Sequence, residues 1–184
     1  MVLVSGAPGA GKSTLAAPLA SQLSFPLLSK DIIKETLFDQ LGHIEGDETA
    51  SSKRLGATSM ELLWRLAADC PQVVIEANFR SQSTYERERL KALSSRPVEV
   101  YCRVPIAVAA ERYSRRGASA GHHAVHVDRS LPDTAFEEFQ SPFNLGPVLE
   151  VDTTHAVDVE ALAAEVTLLL RSWSRRHDPA LGSG

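Results

Sequence analysis

Apolar residues along this chain fall into short runs that alternate with longer stretches of mixed polarity. Most of the runs are rich in β-branched residues, and each is too short to form a helix of ordinary length. Five such runs are present, at residues 1–4, 25–29, 73–77, 98–104 and 148–152. Short strands that alternate with helices are typical of βαβ units, so the pattern predicts an α/β fold with a parallel sheet.

The stretches between these runs carry apolar residues at helical spacing. One stripe places a leucine at every fourth position, at Leu15, Leu19 and Leu23. Two further stripes consist of Leu55, Leu62, Leu63, Leu66 and Cys70, and of Val159, Leu162, Val166, Leu169 and Trp173. Residues at this spacing share one face of a helix, so we expect each stripe to face the core. Residues 42–49 and 117–128 break the pattern, and we expect a loop and a mobile flap there.

Length and charge limit the classes of protein that the chain can represent. With 184 residues, it predicts one domain over residues 1–176 and a disordered tail over residues 177–184. The net charge of −4 disfavours a general nucleic-acid or anionic-membrane binder. No run approaches the roughly 18 apolar residues of a membrane span, and no signal peptide is recognised. Two cysteines without C-x-x-C spacing are typical of a reduced, cytoplasmic protein.

The strongest chemical signal follows the first apolar run. Gly6, Gly11, Lys12 and Ser13 satisfy the pattern G-x-x-x-x-G-K-[ST], and a helical stripe comes directly after them. Glycines let the main chain wrap a polyphosphate closely, and the amides at the start of the helix attract its oxygens. Lys12 would reach the β and γ phosphates, and the Ser13 hydroxyl would ligate Mg²⁺. The expected nucleotide-binding residues are Gly6, Gly9, Ala10, Gly11, Lys12, Ser13 and Thr14.

A chance match in a glycine-rich turn is the alternative, and the strand and helix on either side of the motif disfavour it. With this motif in this context, the chain resembles the small P-loop kinases. That broad group includes chloramphenicol phosphotransferase-like proteins, zeta toxins and the kinase domains of polynucleotide kinases. The resemblance covers nearly the whole chain and implies a P-loop NTPase fold of three α/β/α layers, with five parallel strands in the order 2-3-1-4-5 and a small lid.

Asp31 follows the second predicted strand, where the carboxyl ends of parallel strands face the ligand crevice. A carboxylate at this place can accept a proton from an attacking hydroxyl, and the resemblance assigns the role of base to Asp31. The alternative is that Asp31 only caps the next helix.

The third strand is followed by polar residues that also point to the crevice. Glu76 is expected to hold a magnesium-bound water, and Asn78 and Arg80 are expected to meet the acceptor. The resembling kinases often have Asp where Glu76 stands. A buried or capped Glu76 and a surface-exposed Arg80 are the alternative.

Residues 112–130 resemble the lid of these kinases, and Arg112 and Arg116 match its arginines. Four residues apart on a helix, the two can converge on the transferring phosphate, although a solvated helix end would explain them as well. Gly121, His123 and His126 match the later glycine and histidines of the lid, whereas His122, Ala124 and Val125 depart from its usual arginine, proline and glycine. Zinc binding by the histidines, with Asp128, is a disfavoured alternative.

These observations predict an ATP- and Mg²⁺-dependent kinase that phosphorylates a hydroxyl of a small molecule, as a monomer or a homodimer. Lys12, Asp31, Arg112 and Arg116 would carry the transfer, and residues 32–65 would form much of the acceptor pocket, with Phe38, Leu41 and Trp64 as candidate walls. A polynucleotide 5′-hydroxyl kinase is an alternative that the acidic charge and the 6% aromatic content disfavour. A nucleotide-dependent switch without catalysis is another.

Overall fold

A computed structural model describes residues 1–44, 46–94, 96–119, 122–127 and 130–177. It contains five strands: β1 (Val2–Ser5), β2 (Leu27–Ser29), β3 (Val74–Glu76), β4 (Val98–Arg103) and β5 (Val148–Asp152). Its helices are α1 (Lys12–Leu23), α2 (Lys30–Leu41), α3 (Glu48–Ala68), α4 (Thr84–Leu93), α5 (Ile106–Gly117) and α6 (Val159–His177), with a 3₁₀ helix at Asp133–Phe139. The predicted loop at 42–49 is therefore shorter than expected, because α3 begins at Glu48.

All five strands are parallel and lie in the order β2-β3-β1-β4-β5, which confirms the predicted sheet. The register brings the last residues of the three neighbouring strands β2, β3 and β1 to one edge, with Ser29 beside Glu76 and Val4 also paired with Glu76. The carboxyl ends of the strands thus form a common platform for side chains, as expected for a ligand crevice in such a sheet.

The two faces of the sheet are covered by different helices, which gives the three predicted layers. Val2 and Val4 point to one face and pack with α1 and α6, through residues such as Leu19 and Val166. Leu3 points to the opposite face and packs with the other core cluster, which consists of Leu3, Leu63, Trp64, Ala67, Val73, Ile75, Ala77, Phe79, Leu90 and Phe143. This alternation follows from the period of two along a strand that is buried on both sides.

A buried carboxylate fixes the end of β1, where the glycine-rich loop begins. Glu99 on β4 accepts hydrogen bonds from the Ser5 hydroxyl (2.6 Å) and from the backbone amides of Phe143 and Asn144. Burial raises the pKa of Glu99, although these hydrogen bonds oppose the shift. Glu99 therefore connects the start of the loop to the segment that precedes β5.

Three expectations from the sequence fall partly or wholly outside the described residues. α6 extends to His177, and the rest of the predicted tail, 178–184, is not described. Gly121 of the predicted lid and Asp128 of the zinc alternative also lie outside the described residues. Within the described part of the chain, no helix combines the length and the apolar character that crossing a bilayer requires.

Candidate active site

The glycine-rich loop between β1 and α1, residues 6–11, owes its shape to backbone conformations that other residues rarely adopt. Gly6, Gly9 and Gly11 have φ values of 132°, 78° and 80°. A Cβ at Gly6 would lie 2.5 Å from the carbonyl oxygen of Cys102, and one at Gly9 would overlap the carbonyl oxygen of Ala109. Side chains are therefore excluded at both positions by conformation and by space.

The helix that follows presents its free amides to this loop. α1 begins at Lys12 with Gly11 as its N-cap, and no side chain caps its first turn. The amino end of a helix carries partial positive charge and unpaired N–H groups, so the loop and α1 together form a site for anionic oxygens.

Lys12 lies inside this site and is nearly fully buried. Its ammonium group donates a hydrogen bond to the Ala7 carbonyl oxygen at 2.7 Å, across the loop that it would close around a phosphate. Burial lowers the pKa of Lys12, although the charges of Glu76, Cys102 and Asp31 oppose this shift. A cation held in so little water interacts strongly with a charged ligand.

Glu76 connects the loop to the end of β2. Its two carboxylate oxygens accept hydrogen bonds from the hydroxyls of Ser13 (3.3 Å) and Ser29 (2.7 Å), and the side chain is buried. A serine hydroxyl and a carboxylate are oxygen ligands of the kind that Mg²⁺ prefers. Ser13 and Glu76 therefore fit a magnesium site, in which each would bind the ion directly or through a water molecule.

A cavity of about 560 Å³ lies on one side of the loop, between α5 and the segment after β5. Gly9, Gly11 and Thr14 line it from the loop and α1, Arg112 and Arg116 from α5, and Thr153 from the segment after β5. The Thr153 hydroxyl donates a hydrogen bond to the Ala10 carbonyl oxygen at 2.7 Å. The chain after β5 thus supports the glycine-rich loop from outside the motif.

Arg112 faces the segment after β5. Its guanidinium donates hydrogen bonds to the carbonyl oxygens of Thr153 (2.9 Å) and Thr154 (3.1 Å). Arg116 lines this cavity together with Arg112, and it also lines the smaller space beside Lys12 and Asp31; its guanidinium lies 5.6 Å from the ring centre of Tyr113. In this structure Arg116 is at the phosphate side and Arg112 binds the segment after β5, so convergence of both arginines on the transferring phosphate stays a prediction.

Asp31 lies in the first turn of α2, one residue after the helix begins. The N-cap of α2 is Ser29, so the alternative that Asp31 serves as the cap does not hold. The Lys30 ammonium is 3.3 Å from its carboxylate. Burial alone would raise the pKa of Asp31, but the charges of Lys30, His126 and Lys12 together hold it below the ordinary value of 3.8.

A second cavity, of about 340 Å³, opens on the other side of Asp31. Its walls come from α1, α2 and the residues that follow α5. The lining residues are Ser13, Ala17, Leu27, Ser29, Asp31, Ile32, Glu35, Glu76, Arg116, His122, His123 and His126. A cavity of this size suits a small molecule, and its mixture of polar and apolar walls is typical of a ligand site.

Residues 122–127, the histidine segment, close this second cavity against α2. His126 Nε2 lies 2.9 Å from Glu35 Oε1, and His123 Nε2 lies 3.1 Å from Asp39 Oδ1. Burial lowers the pKa of His126, although Asp31 and Glu35 oppose the shift. Imidazoles of the segment and carboxylates of α2 therefore meet at the cavity wall.

The same segment is anchored from below by its main chain. The Val125 carbonyl oxygen accepts hydrogen bonds from the Ser52 hydroxyl (2.7 Å) and from the Lys34 ammonium (3.3 Å), and the Val125 side chain is buried. The three histidines thus contact α2 carboxylates and the chain's own carbonyls. Within the described residues, no three histidine, cysteine or acidic side chains are grouped to hold a metal ion.

Comparison with known proteins identifies the chain. Residues 1–142 match the family model described as an AAA domain. The chain belongs to this AAA domain family. A protein of Chloroflexus aurantiacus, named a "putative kinase", is 34% identical, with a TM-score of 0.76 over 96% of this chain and 97% of its own. No curated protein sequence matches significantly.

More distant solved structures share the fold. A gluconokinase of Sinorhizobium meliloti is 21% identical with a TM-score of 0.55, over 96% of this chain and 97% of its own. A shikimate kinase of Acinetobacter baumannii is 18% identical with a TM-score of 0.52, over 93% and 92%. The recognition as a small P-loop kinase is confirmed, and the protein is a phosphotransferase.

The structure of this P-loop kinase separates the residues that the sequence grouped at the third strand. Asn78 lines the small space shared by the glycine-rich loop, Asp31, Glu76 and Arg116. Arg80 instead pairs with Glu138 at 2.8 Å, and it does not line the two cavities. The expectation that Arg80 meets the acceptor is therefore not supported by its position.

The expected apolar walls of the acceptor pocket also lie elsewhere. Trp64 belongs to the core, where it packs against Phe79, and Leu41 is exposed. Phe38 contacts the rings of His43 and His123 but does not line the second cavity. The apolar part of that lining consists of Ala17, Leu27 and Ile32.

Sequence reasoning missed the residues that hold the histidine segment, namely Lys34, Glu35, Asp39 and Ser52. One signal was present in the sequence. Asp31, Glu35 and Asp39 are spaced by four residues, which places three carboxylates on one face of α2.

Proposed function

We propose that this kinase transfers the γ-phosphate of ATP to a hydroxyl of a small molecule, with Mg²⁺ as cofactor and Asp31 as base. One observation carries the proposal. Asp31 and Glu76 both line the space beside the glycine-rich loop and the second cavity. Because Glu76 accepts hydrogen bonds from Ser13 and Ser29 at the magnesium side, Asp31 is the carboxylate that is placed to serve the acceptor.

In the proposed step, the acceptor oxygen forms a bond to the γ-phosphorus. The bond between that phosphorus and the β–γ bridging oxygen breaks, and ADP leaves with the electron pair. The hydroxyl proton passes to the Asp31 carboxylate. Because the pKa of Asp31 lies below 3.8, the carboxylate is ionised and ready to accept the proton throughout the neutral range.

The remaining side chains would position phosphates and neutralise charge. Lys12 and Arg116 would contact the phosphate oxygens, since both line the space beside the loop. Ser13 and Glu76 would hold the magnesium ion, which supplies charge neutralisation between phosphate groups. Arg112 would shape the side of the nucleotide cavity that is farther from the transfer, through the carbonyls of Thr153 and Thr154. A direct part for Arg112 in the transfer stays a prediction.

The test is ADP release in the presence of Mg²⁺, ATP and pools of candidate acceptors, with mass spectrometry of the products. We expect Asp31→Asn to keep ATP affinity while the turnover number falls by about 10²–10⁴-fold, the usual contribution of a positioned base. Asp69→Asn is the matched control, because Asp69 is an exposed carboxylate at the end of α3 that pairs with Arg65, away from the site. Near-normal turnover of Asp31→Asn would contradict the assignment of Asp31.

The same assay separates the alternatives. ADP release that only an oligonucleotide with a free 5′-hydroxyl stimulates would indicate a polynucleotide kinase. Nucleotide binding with ADP release that no acceptor stimulates would indicate a nucleotide-dependent switch.

A further inference from the structure

The second cavity contains more negative than positive side chains among the described residues. Three carboxylates line it, those of Asp31, Glu35 and Glu76, whereas Arg116 is the one lysine or arginine in the described lining. Burial lowers the pKa of His126, which favours its uncharged form. Carboxylates therefore outnumber lysine and arginine side chains in the described part of the lining before any ligand enters.

Among the described residues, the lysine and arginine side chains near this cavity are already engaged. Arg116 also lines the two spaces around the glycine-rich loop, where a phosphate would take its charge. Lys30 is paired with Asp31, and Lys34 donates to Ser52 and to the Val125 carbonyl oxygen beneath the histidine segment. Neither lysine belongs to the described lining.

Glu35 is the lining carboxylate that has no assigned part at the magnesium side or in proton transfer. Glu76 accepts hydrogen bonds from Ser13 and Ser29 at the magnesium side, and Asp31 is the candidate base. Glu35 stands one helical turn beyond Asp31, on the same face of α2. Its Oε1 contacts His126, and its side chain is 37% exposed, so part of the carboxylate faces the cavity.

From this arrangement we infer that the acceptor of the proposed phosphotransfer carries no negative charge: it is an uncharged polyhydroxylated compound or a hydroxylated amine. The inference rests on the proposed function. A carboxylate or phosphate on the acceptor would lie against Asp31 and Glu35 in a partly buried site, and juxtaposed like charges of this kind are strongly unfavourable. Hydroxyl or ammonium groups, in contrast, can donate hydrogen bonds to Glu35 and to the histidine nitrogens.

Anion exchange at pH 7 provides a test that works while the acceptor is unidentified. A small-molecule extract is divided into an anionic pool and a non-anionic pool, an oligonucleotide with a 5′-hydroxyl is added to the anionic one, and ADP release is measured with each in the presence of Mg²⁺ and ATP. We expect the non-anionic pool to stimulate ADP release and the anionic pool to leave it at the level without acceptor.

The outcomes distinguish the inference from the proposed function. Stimulation by the anionic pool would overturn the inference and leave phosphotransfer standing. Stimulation by neither pool, in a protein that binds ATP, would overturn the proposed function and the inference with it. Stimulation that persists in Asp31→Asn would show that the response arises outside this site, and it would count against both.

Charge reversal then tests the part played by Glu35. We expect Glu35→Lys to lower the ratio of ADP release with the non-anionic pool to that with the anionic pool by roughly tenfold, as for a charged hydrogen bond. Asp39→Lys is the matched control, because Asp39 also pairs with a histidine of the segment but does not line the cavity. An equal change of the ratio in both variants would overturn the role of Glu35. If Glu35→Lys fails to fold, Glu35→Gln serves in its place, with a smaller expected change in the same direction.

Discussion

The nucleotide end of this active site is shaped mainly by the main chain, and the candidate acceptor end mainly by contacts between side chains. At the nucleotide end, three glycines with positive φ and the first turn of α1 shape the site, and Lys12 is the main side chain. At the acceptor end, side chains on α2 and α3 hold the histidine segment through contacts such as His126–Glu35 and Ser52–Val125. The main-chain geometry of the loop allows few substitutions at its glycines, whereas each side-chain contact at the acceptor end can be changed by a single mutation. We therefore expect phosphate binding and acceptor choice to be separable by mutation in this molecule.

The largest effect expected at the nucleotide end comes from removing the Lys12 ammonium group. Lys12→Ala should raise the dissociation constant for ATP by roughly 10- to 100-fold, because a buried charge-assisted contact to phosphate is lost. Isothermal titration calorimetry measures this directly. Lys91→Ala is the control, since Lys91 is exposed on α4 and pairs with Glu88. An unchanged dissociation constant for ATP in Lys12→Ala would contradict the assignment of the phosphate site.

A smaller effect is expected from the loop conformation itself. Gly9→Ala places a side chain in a left-handed conformation, which costs about 1–2 kcal/mol. The added Cβ would also overlap the Ala109 carbonyl oxygen. We expect ATP affinity to fall by about tenfold in calorimetry. Gly42→Ala also places a side chain at a positive φ, 67°, but it lies outside the loop, and among the described residues no atom beyond its chain neighbours lies within 4 Å of the added Cβ. Equal losses of ATP affinity in the two variants would show that general destabilisation explains the result.

A variant of the acceptor end tests whether the two ends are separable. Ser52→Ala removes a hydrogen bond that holds the Val125 carbonyl, so the Michaelis constant for the acceptor should rise by about 2- to 10-fold while ATP affinity is unchanged. Ser59→Ala is a matched control, because Ser59 is buried in the same helix but bonds its own helix at Leu55. Loss of ATP affinity in Ser52→Ala would contradict the separation.

The mildest expected effect is that of pH on the histidine segment. Because burial lowers the pKa of His126, the folded histidine segment favours the neutral imidazole. The stability that this preference gives the segment is fully present above pH 6.5. It is lost as the pH falls through the lower pKa that His126 has in the folded protein. The Michaelis constant for the acceptor should therefore rise severalfold in mildly acidic solution, and His126→Gln should flatten this dependence. Asp31 cannot cause it, since its pKa lies below 3.8. An unchanged pH profile in His126→Gln would rule out His126 as the responsible group.

The fold and the nucleotide end could be predicted from the sequence because their signals are local. The motif from Gly6 to Ser13 and the strand and helix beside it lie within one short stretch, and the family resemblance supplied the strand order. Asp31 was found for a related reason, because a strand end in a parallel sheet determines where the next residues lie.

The acceptor end could not be predicted in the same way, because its contacts join residues that are far apart in the chain. His126 and Glu35 are separated by 91 positions, and His123 and Asp39 by 84. The spacing of Arg112 and Arg116 indicated a shared helix face, but it could not show that Thr153 and Thr154 would bind one of the two guanidinium groups. Likewise, Arg80 follows a strand end, but its side chain pairs with Glu138 and does not line the two cavities.

The hydrogen bond from Thr153 to Ala10 has a practical consequence for how this protein is handled. The family match ends at residue 142, but the fifth strand, the helix that packs on α1 and the Thr153 hydroxyl all come later in the chain. A fragment cut at the end of the match would lack an edge of its sheet and the outer brace of its phosphate loop. Weak ATP binding by such a fragment would report on the cut and not on the enzyme.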